Sequence, residues 1–190
     1  YPGYMYSDLA EIYERAGCIA GAPGSVTQIP IITMPDDDMT HPVVDLSGYI
    51  TEGQIVLERR LQERGIYPPI DVLPCLSRLM NKGIGRGKTF PEHRALADQL
   101  YASYARAREV ERMRLIVGDD GLTDVEKLYL DFGRVFEATF LNQGITRRNL
   151  DESGKCALKC LSSLPAEELY RLPEKYRTEA VGLKASTKGQ

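Results

Sequence analysis

Apolar residues in the second half of the chain recur at helical spacing. One set comprises Leu128, Phe132, Val135, Phe136 and Phe140, and a second comprises Ala157, Cys160, Leu161 and Leu164. Residues three and four apart share one face of a helix, so each set predicts an amphipathic helix with one buried face. Thr123 and Glu126 precede the first set with the T-x-x-E spacing of a capping box. The pattern therefore predicts helices from about residue 86 to the end.

Two further signals extend the helical prediction. Thr89 and Glu92 repeat the T-x-x-E spacing ahead of an apolar set, which consists of Leu96, Leu100 and Tyr104. Pro165 can occupy the first turn of a last helix with the sequence AEELYRL. The tail VGLKASTKGQ, residues 181–190, has little to bury, and we expect it to be mobile.

The first half mixes helix and strand signals. SDLAEIYERAG predicts a short helix that Ser7 or Asp8 caps and Gly17 ends. SVTQIPIITMP, residues 25–35, and GQIVLE, residues 53–58, are rich in β-branched residues and predict two strands. RRLQERG predicts one or two helical turns, which Gly65 stops, and the proline-rich segment IYPPIDVLPCLSRLM follows.

These elements predict an α/β part followed by an all-α part. The first would span residues 1–85 and the second residues 86–190, joined through a hinge-like linker, NKGIGRGKT, at residues 81–89. About two strands and two helices are fewer than a covered sheet requires. We therefore expect the sequence to begin in mid-domain, with the missing strands supplied from upstream of Tyr1 or by another chain.

Composition and charge exclude several classes of function. The chain has 190 residues, 43% of them hydrophobic and 27% charged, with a net charge of -3. That charge gives no support for nucleic-acid binding, and no apolar run approaches the roughly 20 residues of a membrane span. Any membrane connection is expected to go through partner proteins. Four cysteines without zinc-site spacing predict free thiols suited to a reducing cytoplasm, with Cys156 and Cys160 filling a buried stripe.

Several motifs invite functional interpretations that their spacing does not support. KGIGRGK suggests a phosphate loop, but Lys82 stands where the first glycine of GxxxxGK[ST] belongs, so a linker is preferred. The loop that contains Asp36, Asp37, Asp38 and His41 suggests a metal site, although adjacent carboxylates in a short loop rarely converge on one cation. We predict no metal site.

Three further sets of polar or charged residues are predicted to be solvated. His93 is expected at the surface, and Arg147 and Arg148 are expected to be a solvated pair. A charged helix face is predicted for a third group, Arg108, Glu109, Glu111 and Arg112.

Arg78 is the most informative single residue. It lies in LPCLSRLM, among Leu76, Leu79 and other apolar residues, where a buried unpaired guanidinium would cost several kcal/mol, on the order given for charge burial. Local sequence favours an ion pair with an acid of the same chain, such as Asp71. The other interpretation is that Arg78 serves an anion outside the chain.

Long stretches of the sequence resemble one family. YPGYMYSDLAEIYERAG, GSVTQIPIITMPDDDMTHPVVDLSGYITEGQIVLER, GIYPPIDVLPCLSRLMNKGIG and LADQLYASYA closely resemble the B subunit of V-type and A-type rotary ATPases. The resemblance runs from Tyr1 to about Asn142 and thins afterwards, where LPAEELYRLP is similar in style to the end of the family's helical domain.

The resemblance implies a fold and a place in a larger machine. It implies the C-terminal part of a RecA-like nucleotide-binding domain followed by a C-terminal helical bundle domain. The B subunits alternate with A subunits in a hexamer around a central shaft, with a peripheral stalk, on the cytoplasmic face of the membrane. ATP or ADP with Mg²⁺ is bound mainly by the A subunit, and this chain alone is expected to bind neither and not to be catalytic by itself.

The resemblance also implies roles for individual residues. Arg78 matches the arginine that the B subunit contributes across the interface to the A site, an arginine finger, and Tyr49 and Ser77 are expected to support it. The physics agrees, because such a guanidinium can neutralise charge that spreads over a transferring γ-phosphoryl group, an effect worth about 10³ to 10⁵ in rate. Cys75 departs from the family's usual serine, and the acid loop is expected to be structural at the subunit interface.

Two other functions remain open at this point. The chain could be a structural or assembly module in which Arg78 pairs internally. It could also be a catalytic subunit whose phosphate loop lies upstream, although the LSR motif argues against that, because the catalytic paralogues lack this arginine.

Overall fold

A computed structural model describes the backbone of residues 1–187 and the side chains up to Leu183. The chain divides into two compact units. Unit 1 comprises Tyr1–Gln54 and Leu76–Leu79, and unit 2 comprises Ile55–Cys75 and the chain from Met80 onward. These two units are defined by contacts between residues. The predicted domain boundary near residue 85 rests instead on the change from mixed to helical sequence patterns, and it stays a prediction.

Unit 1 contains two short helices. Helix α1 spans Met5–Tyr13 and helix α2 spans Pro42–Ile50, and a 3₁₀ turn at Pro35–Asp37 lies between them. The hydroxyls of Tyr13 and Ser47 lie 3.0 Å apart and join the two helices. A helix forms where the first one was predicted, but both predicted ends are wrong, since it begins after Tyr4 with no side-chain cap and ends at Tyr13, before Gly17. Helix α2 was not predicted.

The predicted strand at residues 25–35 is wrong. Its one ladder contact is an isolated bridge between Gly17 and Val26. Ile29 and Ile31 are 82% and 94% exposed. Strand preference reflects packing against neighbouring strands, and β-branched residues without such neighbours in unit 1 do not form a strand.

Strands β1, Gly53–Leu57, and β2, Ile70–Ser77, form a two-stranded sheet. They run antiparallel, since the Arg78 N–H donates to the Glu52 carbonyl and the Glu58 N–H donates to the Pro69 carbonyl. We call Gly53–Ser77 the hairpin. Strand β1 was predicted, but β2 was not, because its prolines obscured the pattern.

The connection between the two strands contains helix α3, Arg59–Glu63. Gly65 follows it with φ 75°, a conformation that favours glycine. The predicted helical turns and their stop are therefore confirmed.

Unit 2 is otherwise helical. Its helices are α4 Met80–Gly83, α5 His93–Val117, α6 Asp124–Val135, α7 Leu150–Leu161 and α8 Glu174–Thr187. A π-helical segment, Phe136–Leu141, continues α6, and a 3₁₀ turn at Ala166–Glu168 follows α7. None of the helices within residues 1–187 combines the length and apolarity needed to cross a membrane.

Both predicted apolar stripes lie in the core of unit 2. Phe132 is 0% exposed and Phe136 is 2% exposed, and the residues of the second stripe are buried as well. All four cysteines are free, and Cys160 is buried. The prediction that Cys156 and Cys160 fill a stripe without bridging is confirmed.

The capping predictions have mixed outcomes. The box of Thr123 and Glu126 is confirmed, with both of its hydrogen bonds formed at the start of α6. The box predicted at Thr89 and Glu92 is wrong, because the Glu92 carboxylate instead accepts from the Tyr176 hydroxyl at 2.9 Å. A long-range partner has replaced the local one.

The predicted last helix AEELYRL is also wrong. Only the three-residue turn Ala166–Glu168 forms there, and Leu169 and Leu172 are buried after it. The final helix α8 lies further along and includes residues 181–187 of the predicted tail. Residues 188–190 lie outside the described residues, and the mobility of the tail stays a prediction.

Candidate functional site

Arg78 lies in unit 1 directly after strand β2, and α2 holds its side chain. Its Nη2 donates to the Gly48 carbonyl at 3.0 Å, and its Nη1 donates to the Thr51 carbonyl. Its backbone N–H donates to the Glu52 carbonyl at 2.9 Å. Backbone and side chain are therefore both attached to the connection between α2 and β1.

These carbonyls are available because α2 ends there. The last carbonyls of a helix have no intrahelical donor, and they carry the negative end of the helix dipole. Thr51 satisfies one of them, since its N–H donates to the Ser47 carbonyl at 3.0 Å and its hydroxyl donates to the same oxygen at 2.7 Å. Arg78 satisfies Gly48 and Thr51, so its guanidinium acts as the C-terminal cap of α2.

The expected burial of Arg78 is wrong. Arg78 is exposed, and its apolar neighbours Leu76 and Leu79 are 50% and 48% exposed. Burial therefore imposes no cost on this charge that an acid of the same chain would have to offset. A pair with Asp71 would join residues of different units, and it stays a prediction.

The arrangement leaves Arg78 able to bind an anion. A guanidinium has five N–H donors in a fixed plane. Two of them are used by the carbonyls of Gly48 and Thr51, which leaves three. Because a planar fork of donors matches phosphate oxygens, the residue fits a phosphoryl group presented from outside the chain.

The two predicted supporting residues are sequence neighbours of Gly48 and Arg78. Tyr49 follows Gly48 in α2 and is 67% exposed, so it is not a packing residue of unit 1. Ser77 ends β2 immediately before Arg78 and is exposed. Their roles at a nucleotide interface stay predictions.

Cys75 is a structural residue of unit 2. Its Sγ donates to the Asp71 carbonyl at 2.9 Å and accepts from the Val56 N–H at 3.3 Å. Burial raises the pKa of this thiol above its usual value. Cys75 therefore stays a neutral thiol, and it is small, like the serine that is usual in the family.

The acid loop is held together by its own hydrogen bonds. The Asp38 carboxylate accepts from the Thr40 hydroxyl and N–H at 2.7 and 2.8 Å, and these bonds lower the pKa of Asp38. His41 Nε2 lies 2.6 Å from the Tyr1 hydroxyl. Across the described part of the chain, no group of three or more His, Cys, Asp or Glu residues is arranged to hold a metal ion.

The prediction of a solvated pair is confirmed for Arg147, which is exposed, but it is wrong for Arg148, and the surface prediction for His93 is also wrong. Arg148 donates to the Phe140 carbonyl at 2.7 Å and to the Thr139 carbonyl at 3.2 Å, where it caps the π-helical segment. His93 is half-buried and stacks on Phe90 with ring centroids 4.7 Å apart, and burial lowers its pKa.

The charged face of α5 is confirmed. The Arg108 guanidinium pairs with Glu111 at 2.7 Å, one turn along the helix.

A buried carboxylate, that of Glu137, was not predicted. Glu137 is 5% exposed and lies between Phe136 and Phe140 in unit 2. Its position next to an apolar stripe was a weak signal, since helical spacing placed it on the polar face. The π-helical turn changes that spacing and directs the side chain inward.

Two family profiles match the chain. The nucleotide-binding domain of the ATP synthase alpha/beta family matches residues 1–77, and the C-terminal domain of V and A type ATP synthase matches residues 82–181. Together they confirm the predicted fold class, the end of a nucleotide-binding domain followed by a helical domain.

Curated relatives and a solved structure agree. The chain is similar to the V-type ATP synthase beta chain of Anaeromyxobacter sp. (strain Fw109-5), with 60% identity over 91% of this chain and 38% of that one. Its Thermus thermophilus counterpart is 54% identical over 97% of this chain and 38% of its own length. A solved ATP synthase subunit, NeqB from Nanoarcheaum equitans, aligns with TM-score 0.75 and 44% identity over 85% of this chain and 40% of that chain.

The chain thus spans about 38% of the length of these curated relatives. Only residues 78–81 lie between the two matched regions. The second region alone covers more than half of the chain. On this evidence the chain belongs to the V-type and A-type ATP synthase family.

Proposed function

We propose that the chain is the nucleotide-interface and helical part of a non-catalytic B subunit in a rotary V/A-type ATPase. Arg78 completes the ATP site of a neighbouring A subunit. Opening and closing of that interface couples ATP hydrolysis or synthesis to the transport of H⁺ or Na⁺.

The observation that supports this role is how the carbonyls of Gly48 and Thr51 hold the Arg78 side chain. The guanidinium is exposed, held by two neutral carbonyls, and has three donors left for an anion. A positioned cation of this kind stabilises charge on a transferring phosphoryl group without reorganisation at the moment of reaction.

The partners follow from the same proposal. ATP or ADP with Mg²⁺ is bound mainly by the A subunit, in a hexamer of alternating A and B subunits. The helical domain of this chain acts on a central shaft, a peripheral stalk holds the ring, and the ion-translocating sector makes the only membrane contact. The subunit then lies on the cytoplasmic face of the membrane. The names of the relatives, V-type ATP synthase beta chain, support membership of such an assembly.

The experiment is Arg78→Ala in the full-length subunit within the assembled complex. We expect turnover of ATP to fall by about 10³ or more, while nucleotide binding stays largely intact, since binding groups belong to the A subunit. The matched control is Arg86→Ala, at an exposed arginine of unit 2. Near-normal turnover of Arg78→Ala would reject the role.

A structural or assembly module is the second candidate. The cap that Arg78 forms on α2 favours it, because the residue already has a stabilising function inside unit 1. In that case Arg78→Ala would lower the yield of assembled complex, and the complexes that do assemble would hydrolyse ATP at the normal rate.

A further inference from the structure

Two free cysteines of helix α7 lie against the same residue of the π-helical segment. Cys156 and Cys160 are four residues apart, so their side chains share one face of the helix. The Cys156 thiol donates to the Thr139 carbonyl at 3.4 Å, and Cys160 Sγ lies 3.2 Å from the Thr139 hydroxyl. The two thiols also contact each other. All three residues belong to unit 2, where the two sulfur atoms form one cluster.

Arg148 brings a positive charge to this cluster. Its Nη1 lies 3.6 Å from Cys156 Sγ. Its other acceptors are the carbonyls of Thr139 and Phe140 and the hydroxyl of Ser153, which are all neutral. Among the described side chains, no carboxylate pairs with Arg148. A cation beside a cysteine stabilises the thiolate, which is the form that reacts with electrophiles, and a thiolate here would give Arg148 an anionic partner.

The two sulfur atoms differ in their access to solvent. Cys156 is half-buried, whereas Cys160 is 0% exposed. Burial raises the pKa of the Cys160 thiol to about 11, and the neighbouring Cys156 adds to this rise. A small oxidant therefore reaches Cys156 first, and Cys160 lies behind it as a protonated second thiol.

We propose that Cys156 and Cys160 are a redox-active pair, which a hydroperoxide converts reversibly into a disulfide within α7. Cys156 is the sulfur that the oxidant attacks, and Arg148 stabilises its thiolate. Cys160 is the thiol that resolves the oxidised form. This site is independent of the role proposed for Arg78.

The reaction has two steps. Cys156 loses its proton to solvent, and its thiolate forms an S–O bond with the peroxide while the O–O bond breaks. The departing oxygen takes up a proton, so the sulfur is oxidised to a sulfenic acid and the peroxide is reduced to water or an alcohol. The Cys160 sulfur then attacks the Cys156 sulfur. An S–S bond forms, the S–O bond breaks, and the hydroxyl leaves with the Cys160 proton as water.

The helix makes this disulfide easy to reduce. Side chains four apart on a helix have Cβ atoms about 5–6 Å apart, whereas a disulfide requires about 3.5–4.5 Å. The last turns of α7 must therefore distort when the bond forms, and strained disulfides are readily reduced by thiols. The distortion also breaks the hydrogen bond from Cys156 to the Thr139 carbonyl, so oxidation changes the contact between α7 and the π-helical segment.

The test treats the folded full-length subunit with hydrogen peroxide and identifies the products by mass spectrometry. Trypsin cleaves after Lys155 and Lys159, so the two cysteines fall in separate peptides, CALK and CLSSLPAEELYR. We expect these two peptides to be recovered joined, two hydrogen atoms lighter than their sum, and to separate again after dithiothreitol. Cys156→Ser should abolish the joined product. In Cys160→Ser a sulfenic acid should accumulate at Cys156, where dimedone captures it.

The contribution of Arg148 is tested by the rate of dimedone capture in the Cys160→Ser background. Arg148→Gln keeps N–H donors for the neighbouring carbonyls but removes the charge, and we expect it to slow the oxidation of Cys156 about tenfold or more. Arg148→Lys keeps a cation and should recover most of the rate. Arg147→Gln, at the adjacent exposed arginine, is the matched control and should leave the rate unchanged, as should all variants at Cys18.

Three results would overturn the proposal. One is peroxide treatment that yields no joined peptides, or joins them only after urea has unfolded the subunit. Another is direct conversion of Cys156 to sulfinic or sulfonic acid without a disulfide. The third is equal rates for Arg148→Gln and Arg147→Gln, which would show that the cation does not activate Cys156.

Discussion

Nη2 of Arg78 lies 3.0 Å from the carbonyl oxygen of Gly48, thirty residues earlier in the chain. The contact places a cation at the negative end of helix α2, where the dipole stabilises it. It also fixes the plane of the guanidinium before any ligand arrives. Under the proposed function, Arg78 is thereby oriented by its own chain before it meets the neighbouring nucleotide.

Arg78→Lys tests whether the forked geometry matters. A lysine ammonium keeps the charge but cannot donate to two carbonyls in one plane and to a phosphoryl group as well. We expect ATP turnover of the assembled complex to fall by about 10² or more. Arg86→Lys is the matched control, and a lysine variant that kept more than half of the turnover would contradict the geometric role.

Phe132→Ala should unfold or severely destabilise unit 2. The side chain is 0% exposed, and its removal leaves a cavity that costs about 3–5 kcal/mol. Leu115→Ala, at a residue 84% exposed, should change stability by less than about 0.5 kcal/mol. Urea unfolding followed by circular dichroism measures both, and equal effects would show that the core is assigned incorrectly.

Thr123→Ala should remove the cap of α6. The Thr123 hydroxyl accepts from the Glu126 N–H, and its loss costs about 1 kcal/mol. Thr27→Ala, at an exposed threonine outside the helices, is the control in the same urea titration. A cap variant as stable as the control would mean that the box does not stabilise the helix in solution.

Cys160 should be alkylated far more slowly than Cys18 at pH 8. Burial raises the pKa of its thiol to about 11, so at pH 8 only about 10⁻³ of it is thiolate. Cys18 is exposed and should react with iodoacetamide first. Mass spectrometry of the labelled peptides, repeated at rising pH, should show Cys160 labelling accelerate up to about pH 11, and equal labelling of both cysteines at pH 8 would contradict its burial.

Local signals in the sequence predicted local structure well. The stripe around Phe132, the box at Thr123 and the stop at Gly65 each depend on residues within about one or two helical turns, and all three are confirmed. Two of the failures depend on parts of the chain far from the predicted element. Glu92 leaves its predicted box for Tyr176, 84 residues away, and Ile31 lies in a segment that has no neighbouring strand in unit 1.

At the candidate site, too, the local motif was informative and the contacts between distant residues were not predictable. The motif around Arg78 identified the residue, but the sequence could not indicate that Gly48 and Thr51 would hold it, because those contacts depend on where α2 ends. Glu137 was missed because a single π-helical turn changes which face a side chain occupies. Spacing rules assume a regular helix, and they fail where the backbone departs from one.

The most direct measurement is a structure of the assembled complex with ADP and aluminium fluoride, which imitates the transferring phosphoryl group. We predict that a guanidinium nitrogen of Arg78 lies about 3 Å from a fluoride in the neighbouring A subunit while Gly48 and Thr51 still hold the other side of the group. A guanidinium that contacts only the carbonyls of α2, with the aluminium fluoride bound and out of its reach, would show that Arg78 does not complete the A site.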